Sequence, residues 1–170
     1  LNLIAAIVSP DIALEGSATL GELISVQVTI IDDEMPGGVD PGFKLKGGAN
    51  GPVFSILVDQ DERILLGGDF TRVGGVNYGH VSRLHPDGYV DSSFNIGTGL
   101  DDVVWSLGVQ SDRKPIPGGR YTIVDGNEVL SVSRLNADGV YDNTFDIGVG
   151  VEGDVYAVAV QSDGGIVIGG

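Results

Sequence analysis

The sequence predicts an all-β fold built from repeated four-stranded antiparallel units shaped like blades. Three observations support this prediction: short apolar segments alternate with turn residues, glycine contributes 28 of the 170 residues, and the whole pattern recurs every 51 residues. Glycine at this frequency, without a collagen period, is typical of a chain with many tight turns. Because no segment has the apolar spacing of an amphipathic helix, helices are not expected.

The 51-residue repeat is defined by three matching segments, VDPGF, VDSSF and YDNTF, which begin at residues 39, 90 and 141. Internal repetition of this length is a signature of propellers and solenoids. The sequence therefore predicts repeat 1 over 39–89, repeat 2 over 90–140 and a partial repeat 3 over 141–170.

The first strand of each repeat is predicted at 53–58, 104–109 and 155–160, in the segments VFSILV, VWSLGV and VYAVAV. Alternate positions carry large side chains, led by an aromatic residue, and the other positions are mostly small. Strands that are apolar on both faces lie between layers. We therefore expect stacked sheets in which the large face of one meets the small face of the next.

Three more short strands follow in each repeat, and in repeat 1 they are RILLGGDF, TRVGG and HVSRL. Four strands in about 50 residues, with turns at regular spacing, are typical of a propeller blade. In repeat 2, Pro115 and Pro117 replace Ile64 and Leu66, which removes two amide donors from one edge of the second strand. Either that strand is locally broken or the sheet tolerates a defect there.

Three sets of residues recur at equivalent positions of the repeats, and a structural role is expected for each of them. Tight turns are predicted at three Asp-Gly pairs, and this interpretation is favoured over metal-binding loops. The pairs are Asp87-Gly88, Asp138-Gly139 and Asp163-Gly164. Arg83 and Arg134 stand between apolar neighbours, so each is expected to be buried and paired with a turn carboxylate such as Asp91 or Asp142. The aromatic residues Phe54, Trp105 and Tyr156 are expected to serve packing before any stacking on sugars.

The motif QSDG-x-I-x-I-GG-DF-x-x-VGG, followed by SRLNADG-x-x-D-x-x-F, resembles the delta-60 repeat over residues 39–170. That resemblance implies an incomplete β-propeller from a large secreted or cell-surface bacterial protein, and it carries no catalytic residues. Residues 1–34, which end in the strand-like VTIIDDE, resemble the C-terminal strands of a Calx-beta sandwich. Residues 35–38 are interpreted as a linker.

The candidate metal site is the acidic stretch IDDEMPGGVD, with Asp32, Asp33, Glu34 and Asp40 as hard oxygen ligands for calcium. Calcium is the one cofactor that the sequence suggests, and the resemblance to Calx-beta domains supports it. The competing interpretation is a solvated acidic linker.

The net charge and the types of side chain present argue against several classes of function. A net charge of −15, from 24 acidic and nine basic residues, argues against a nucleic-acid partner. No segment supplies the roughly 20 apolar residues of a membrane-spanning helix. The two histidines, His80 and His85, become Ser131 and Asn136 in the next repeat, and no catalytic motif is present, so an enzyme is not expected.

We therefore expect a non-enzymatic structural or adhesive module of an extracellular or cell-surface repeat protein. Its expected partners are neighbouring repeats or other copies, which would join through open strand edges into a filament. The alternative hypothesis is a calcium-dependent module that binds a surface glycan or protein.

Overall fold

A computed structural model describes residues 42–43, 47–148 and 150–170, all of which belong to the compact unit Gly38–Gly170. The predicted sandwich strands of residues 1–34, the linker 35–38 and the four acidic candidates Asp32, Asp33, Glu34 and Asp40 lie outside the described residues. In the part that is described, every strand pairing is antiparallel and there is no helix. The predicted all-β class is confirmed. No helix in the same residues is long and apolar enough to cross a membrane.

Repeat 1 contains five strands: β1 (Val53–Val58), β2 (Ile64–Gly68), β3 (Arg72–Val73), β4 (Val76–Asn77) and β5 (Val81–Leu84). Repeat 2 contains four: β6 (Val104–Val109), β7 (Pro115–Gly119), β8 (Ile123–Val124) and β9 (Asn127–Glu128). The partial repeat 3 contributes β10 (Ala157–Val160) and β11 (Ile166–Gly169). Equivalent strands therefore recur in the order that the 51-residue offset predicts, except that the segment SVSRL (131–135), which corresponds to β5, forms only isolated bridges.

The four segments expected in repeat 1 divide between two sheets. The main sheet has the order β1-β2-β5, whereas β3 and β4 form a separate hairpin. The Asn50 side chain explains this division, because its Oδ1 accepts hydrogen bonds from the N–H groups of Thr71 at 2.9 Å and Arg72 at 2.8 Å. The hairpin is thus fastened to the segment before β1, and β5 is left to pair directly with β2.

Repeat 2 fastens its hairpin in the same way. Asp101, which lies 51 residues after Asn50, accepts hydrogen bonds from the N–H groups of Thr122 and Ile123, both at 2.8 Å. A carboxylate therefore does in repeat 2 what an amide oxygen does in repeat 1.

Pro115 and Pro117 leave β7 intact but weaken its outer pairing. Both residues are buried and pair with β6, as Val109↔Pro115 and Leu107↔Pro117. On the other edge their carbonyls still accept the N–H groups of Leu135 at 2.9 Å and Ser133 at 3.3 Å. The reciprocal bonds are missing because proline has no N–H. Repeat 1 has a regular β2–β5 ladder, whereas the equivalent pairing in repeat 2 is reduced to a single bridge, Gly118↔Val132. Because β7 itself is unbroken, the second of the two predicted outcomes, a defect that the sheet tolerates, is confirmed.

Replacing both prolines with the repeat 1 residues, Pro115→Ile with Pro117→Leu, is expected to restore the ladder. The new N–H groups would face the carbonyls of Leu135 and Ser133, and so they should exchange slowly with deuterium. Each restored bond contributes about 0.5–1.5 kcal/mol, largely offset by the ~0.4–1 kcal/mol lost with each proline. Amide exchange measured by NMR checks this, with the amides of Ile64 and Leu66 as internal references. Exchange at the rate of exposed turn amides would contradict it.

Candidate inter-repeat interface

Each main sheet has two different faces. The face toward the following repeat is here named the front face, and the face toward the preceding repeat the back face. Gly67 lies on the front face of repeat 1, where an added Cβ would be 2.8 Å from Cγ1 of Val104 and 3.1 Å from Cδ1 of Leu107. Val104 and Leu107 therefore lie on the back face of repeat 2, and no larger residue fits at Gly67 without moving them.

The next junction repeats this arrangement. A Cβ at Gly118, on the front face of repeat 2, would be 2.5 Å from Val158 and 2.7 Å from Val155. A Cβ at Gly108 would be 2.9 Å from Val160. The large-against-small packing predicted from the sequence is therefore confirmed at both junctions that the structure describes.

The aromatic residues do not follow the predicted alternation. The pairing of β1 with β2 skips Phe54, and the pairing of β6 with β7 skips Trp105, so each is the extra residue of a β-bulge. Because the bulge shifts the alternation by one residue, Val104 joins Leu107 on the back face. The strict alternation predicted for β1 and β6 is therefore interrupted at the bulge, where Val104 shares a face with Leu107.

The aromatic rings form a row across the three repeats. The ring centroids of Phe54 and Trp105 are 4.7 Å apart, and those of Trp105 and Tyr156 are 6.1 Å apart. These are distances at which tilted rings attract one another. The predicted packing role is thus confirmed, since the rings contact their own equivalents in neighbouring repeats.

Serine hydroxyls connect the first strands of successive repeats. Ser55 Oγ accepts a hydrogen bond from the N–H of Leu107 at 3.1 Å, and Ser106 Oγ accepts one from the N–H of Val158, also at 3.1 Å. The strands β1, β6 and β10 each lie at an edge of their sheet, so N–H groups on that edge need an acceptor outside it. The preceding repeat supplies this acceptor.

A buried ion pair reinforces the first junction. Arg83 Nε donates to Asp91 Oδ2 at 2.8 Å, and the two side chains are only 3% and 2% exposed. The same guanidinium lies 4.6 Å from the centroid of the Phe94 ring and donates from Nη1 to the carbonyl of Ala137, in repeat 2, at 2.6 Å. The predicted pairing is confirmed, and the bond to Ala137 shows that this arginine also links two repeats.

Arg134 occupies the equivalent place in repeat 2, but its side chain is 18% exposed, so the predicted burial is confirmed for Arg83 and not for Arg134. Its Nε donates to Asp142 Oδ2 at 2.8 Å, and its guanidinium lies 4.8 Å from the centroid of the Phe145 ring. Lys114 adds a second cation to the same carboxylate at 2.9 Å.

The environment keeps both aspartates ionised. Burial raises the pKa of the Asp91 carboxyl, but hydrogen bonds from Ser93 and Arg83 outweigh burial, so that its pKa lies below the usual value. Burial acts in the same direction at Asp142, where hydrogen bonds from Thr144, Lys114 and Arg134 outweigh it and lower the pKa. Both carboxylates are therefore charged at neutral pH and hold their arginines in place.

The Asp-Gly pairs form turns, as predicted. The Oδ1 atoms of Asp87, Asp138 and Asp163 each accept the N–H of the residue two positions later. The glycines that follow have φ angles of 84°, 92° and 88°, in the left-handed region that favours glycine.

The histidines are also in structural contacts. Nδ1 of His80, which is buried, lies 3.1 Å from the carbonyl of Gly68, and His85 Nε2 lies 3.7 Å from Asp91 Oδ1. Across the described residues, no three acidic or histidine side chains are grouped so as to hold a metal ion. The calcium hypothesis concerns Asp32, Asp33, Glu34 and Asp40 and so remains a prediction.

Comparison with known protein families agrees with the blade-like repeat. Residues 60–94 and 110–145 are similar to the family described as "domain of unknown function (DUF5122) beta-propeller". Each matched segment begins just after the first strand of a repeat and ends at the Asp-x-x-Phe step. No curated protein matches the chain.

The family match and the repeated antiparallel sheets together define a β-propeller-like repeat. The narrower resemblances, to delta-60 repeats over 39–170 and to a Calx-beta domain over 1–34, remain predictions.

Replacing Arg83 with methionine is expected to lower the free energy of unfolding by about 3–5 kcal/mol, because it leaves the Asp91 carboxylate buried without its partner. The matched control is Arg113→Met, whose partner Asp61 is 2.8 Å away in a pair that is 50% and 42% exposed. Loss of such an exposed pair should cost much less stability, because solvent screens the two charges. Chemical denaturation measures both, and equal losses would contradict the structural role of Arg83.

The difference between wild type and Arg83→Met should also depend on pH. The pKa of Asp91 is lower in the folded than in the unfolded protein, so its stabilising contribution is present above the unfolded pKa of about 3.9. That contribution is lost as the pH falls through the folded pKa. The stability difference should therefore shrink in denaturation curves recorded from pH 5 down to pH 2. A difference that stays constant over this range would show that the ion pair is not its source.

Proposed function

We propose that this chain is a non-enzymatic structural module of an extracellular or cell-surface repeat protein, and that it joins other copies of itself end to end. The observation that carries the proposal is the back face of repeat 1. Val53, Ile56 and Val58 are 37%, 67% and 60% exposed there, while Val104 and Leu107, the equivalents of the first two in repeat 2, are packed against the preceding repeat. The chain thus presents an exposed face whose equivalent in repeat 2 packs against a front face.

The interior junctions define what fits that face. Val104 and Leu107 pack against a front face with glycine at its centre, and the same should hold for Val53 and Ile56. The equivalent front-face positions in repeat 3 are Ala157, Ala159 and Gly169, all of which are small. One copy therefore carries both halves of the junction on different surfaces.

Contact between two different surfaces of the same chain is heterologous, and repeated without closure it produces a filament. The exposed apolar side chains provide a driving force, since full burial of one valine or isoleucine contributes about 1.5–3 kcal/mol. This supports self-association as the mechanism of a scaffold or adhesive module.

A structural role is further supported by what the conspicuous polar residues do. Arg83, Arg134 and the Asp-Gly turns are engaged in contacts within and between repeats. Placement outside the cell rests on the resemblance of the repeats to delta-60 units.

Replacing Ile56 with aspartate is expected to suppress self-association, because a charge would be buried against an apolar front face. Wild type should show an average mass that rises with concentration in light scattering, while Ile56→Asp should remain monomeric at concentrations at least tenfold higher. The matched control is Val140→Asp, at a turn position that is 46% exposed and outside the main sheets. The proposal fails if wild type stays monomeric throughout, or if the control suppresses association equally.

A further inference from the structure

The sequence contains one Asn-Gly step, Asn50-Gly51, and it lies where the β3–β4 hairpin of repeat 1 is fastened. Asn50 is exposed, and the Gly51 N–H makes no hydrogen bond with any residue that the structure describes. Glycine has no Cβ, so it leaves its own peptide nitrogen open to approach by the preceding side chain. Because exposed contacts open in local fluctuations, the side-chain amide of Asn50 can reach this nitrogen.

A carboxylate already fills the same place in repeat 2. Asp101 Oδ1 accepts the N–H groups of Thr122 and Ile123, and Asp101 Oδ2 accepts the Thr122 hydroxyl at 2.9 Å. In repeat 1 the side chain of Asn50 instead donates from Nδ2 to the Thr71 hydroxyl at 3.0 Å. Because a threonine hydroxyl both donates and accepts, Thr71 can reverse its role if the amide becomes a carboxylate.

The site also favours the charged form of such a carboxylate. Burial raises the pKa of Asp101, but hydrogen bonds from the N–H groups of Ile123 and Thr122 outweigh burial, so that its pKa lies below the usual value. At position 50 the two equivalent N–H groups belong to Thr71 and Arg72. Hydrogen bonds to a charged acceptor are stronger than those to a neutral amide. An aspartate at position 50 should therefore hold the hairpin at least as firmly as the asparagine does.

We propose that Asn50 is a self-modification site, where deamidation converts the amide fastening of repeat 1 into the carboxylate fastening of repeat 2. The Gly51 nitrogen attacks Cγ of Asn50 and forms a C–N bond, the bond from Cγ to Nδ2 breaks, and the Nδ2 group leaves as ammonia with the proton that Gly51 loses. Water then adds to Cγ of the succinimide ring and releases the Gly51 nitrogen, which leaves an aspartate. The reaction needs a single copy of the chain and does not depend on self-association.

The fold distinguishes the two ways in which the ring can open. Attack of water at the main-chain carbonyl would give isoaspartate, with an extra methylene in the main chain. A Cβ at Gly51 would overlap the carbonyl oxygen of Asp69, and the Asp69 N–H donates to the carbonyl of Pro52 at 2.8 Å. The main chain is packed too closely here to hold an extra atom, so the aspartate product is the one that keeps the fastening.

Peptide mapping by mass spectrometry tests the reaction in folded wild type held at mildly alkaline pH. The peptide that contains Asn50 should gain the mass that exchange of NH₂ for OH adds, and a protease that cleaves before aspartate but not before isoaspartate identifies the product. Asn95, Asn136 and Asn143, each followed by a residue with a side chain, should stay unchanged over the same period. The matched control is Asn50→Gln, which keeps an amide but cannot close the five-membered ring, and so should not convert.

The variant Asn50→Asp supplies the product directly. Deuterium exchange of the Thr71 and Arg72 amides, followed by NMR, should be as slow in Asn50→Asp as in wild type, because the carboxylate accepts both N–H groups. In Asn50→Ala both amides lose their acceptor and should exchange faster.

Two results would each overturn the proposal. One is conversion at Asn50 that is no faster than at the other three asparagines in the folded protein, even if the urea-unfolded chain converts. The other is loss of protection of the Thr71 and Arg72 amides in Asn50→Asp, because the product would then not reproduce the fastening that Asp101 makes.

Discussion

The structure depends on one packing constraint, the contact of large aliphatic side chains on one sheet with glycines on the next. Val104 and Leu107 occupy the space that a side chain at Gly67 would need, and Val155 and Val158 do the same at Gly118. Because sheets approach this closely only where one face is thin, the glycines set the distance between repeats. The serine hydroxyl bonds, the row of aromatic rings and the arginine contacts between repeats all rely on that distance.

The same constraint connects the fold to the proposed function. A repeat whose two faces differ must always join front to back, so any further unit is added in the same direction. Arg83 extends this directionality to the outer part of the sheet, because this residue of repeat 1 donates a hydrogen bond to the carbonyl of Ala137 in a turn of repeat 2. The packing of the sheets and the hydrogen bond to the turn therefore both join repeat 1 to repeat 2.

Much of this arrangement could be predicted from the sequence, because the 51-residue offset places equivalent residues side by side. It predicted the strands, the Asp-Gly turns, the Arg83–Asp91 pairing and the large and small faces. The bulges at Phe54 and Trp105 could not be predicted, because a bulge is defined by how two strands pair and the residue pattern of either strand does not show it. The separate hairpin was missed because Asn50 acts on Thr71, 21 residues away. The acidic candidates between residues 32 and 40 lie outside the described residues.

A double-mutant cycle measures the central packing contact most directly. Gly67→Ala should destabilise the protein by crowding Val104, and Val104→Ala should destabilise it by leaving a cavity. Together they should compensate, with a coupling energy of about 0.5–3 kcal/mol. Gly118→Ala faces Val155 and Val158 instead, so its coupling to Val104→Ala should be smaller than that of Gly67→Ala. Additive losses for Gly67→Ala and Val104→Ala would contradict the account, because the two residues would then not be in contact across the repeats.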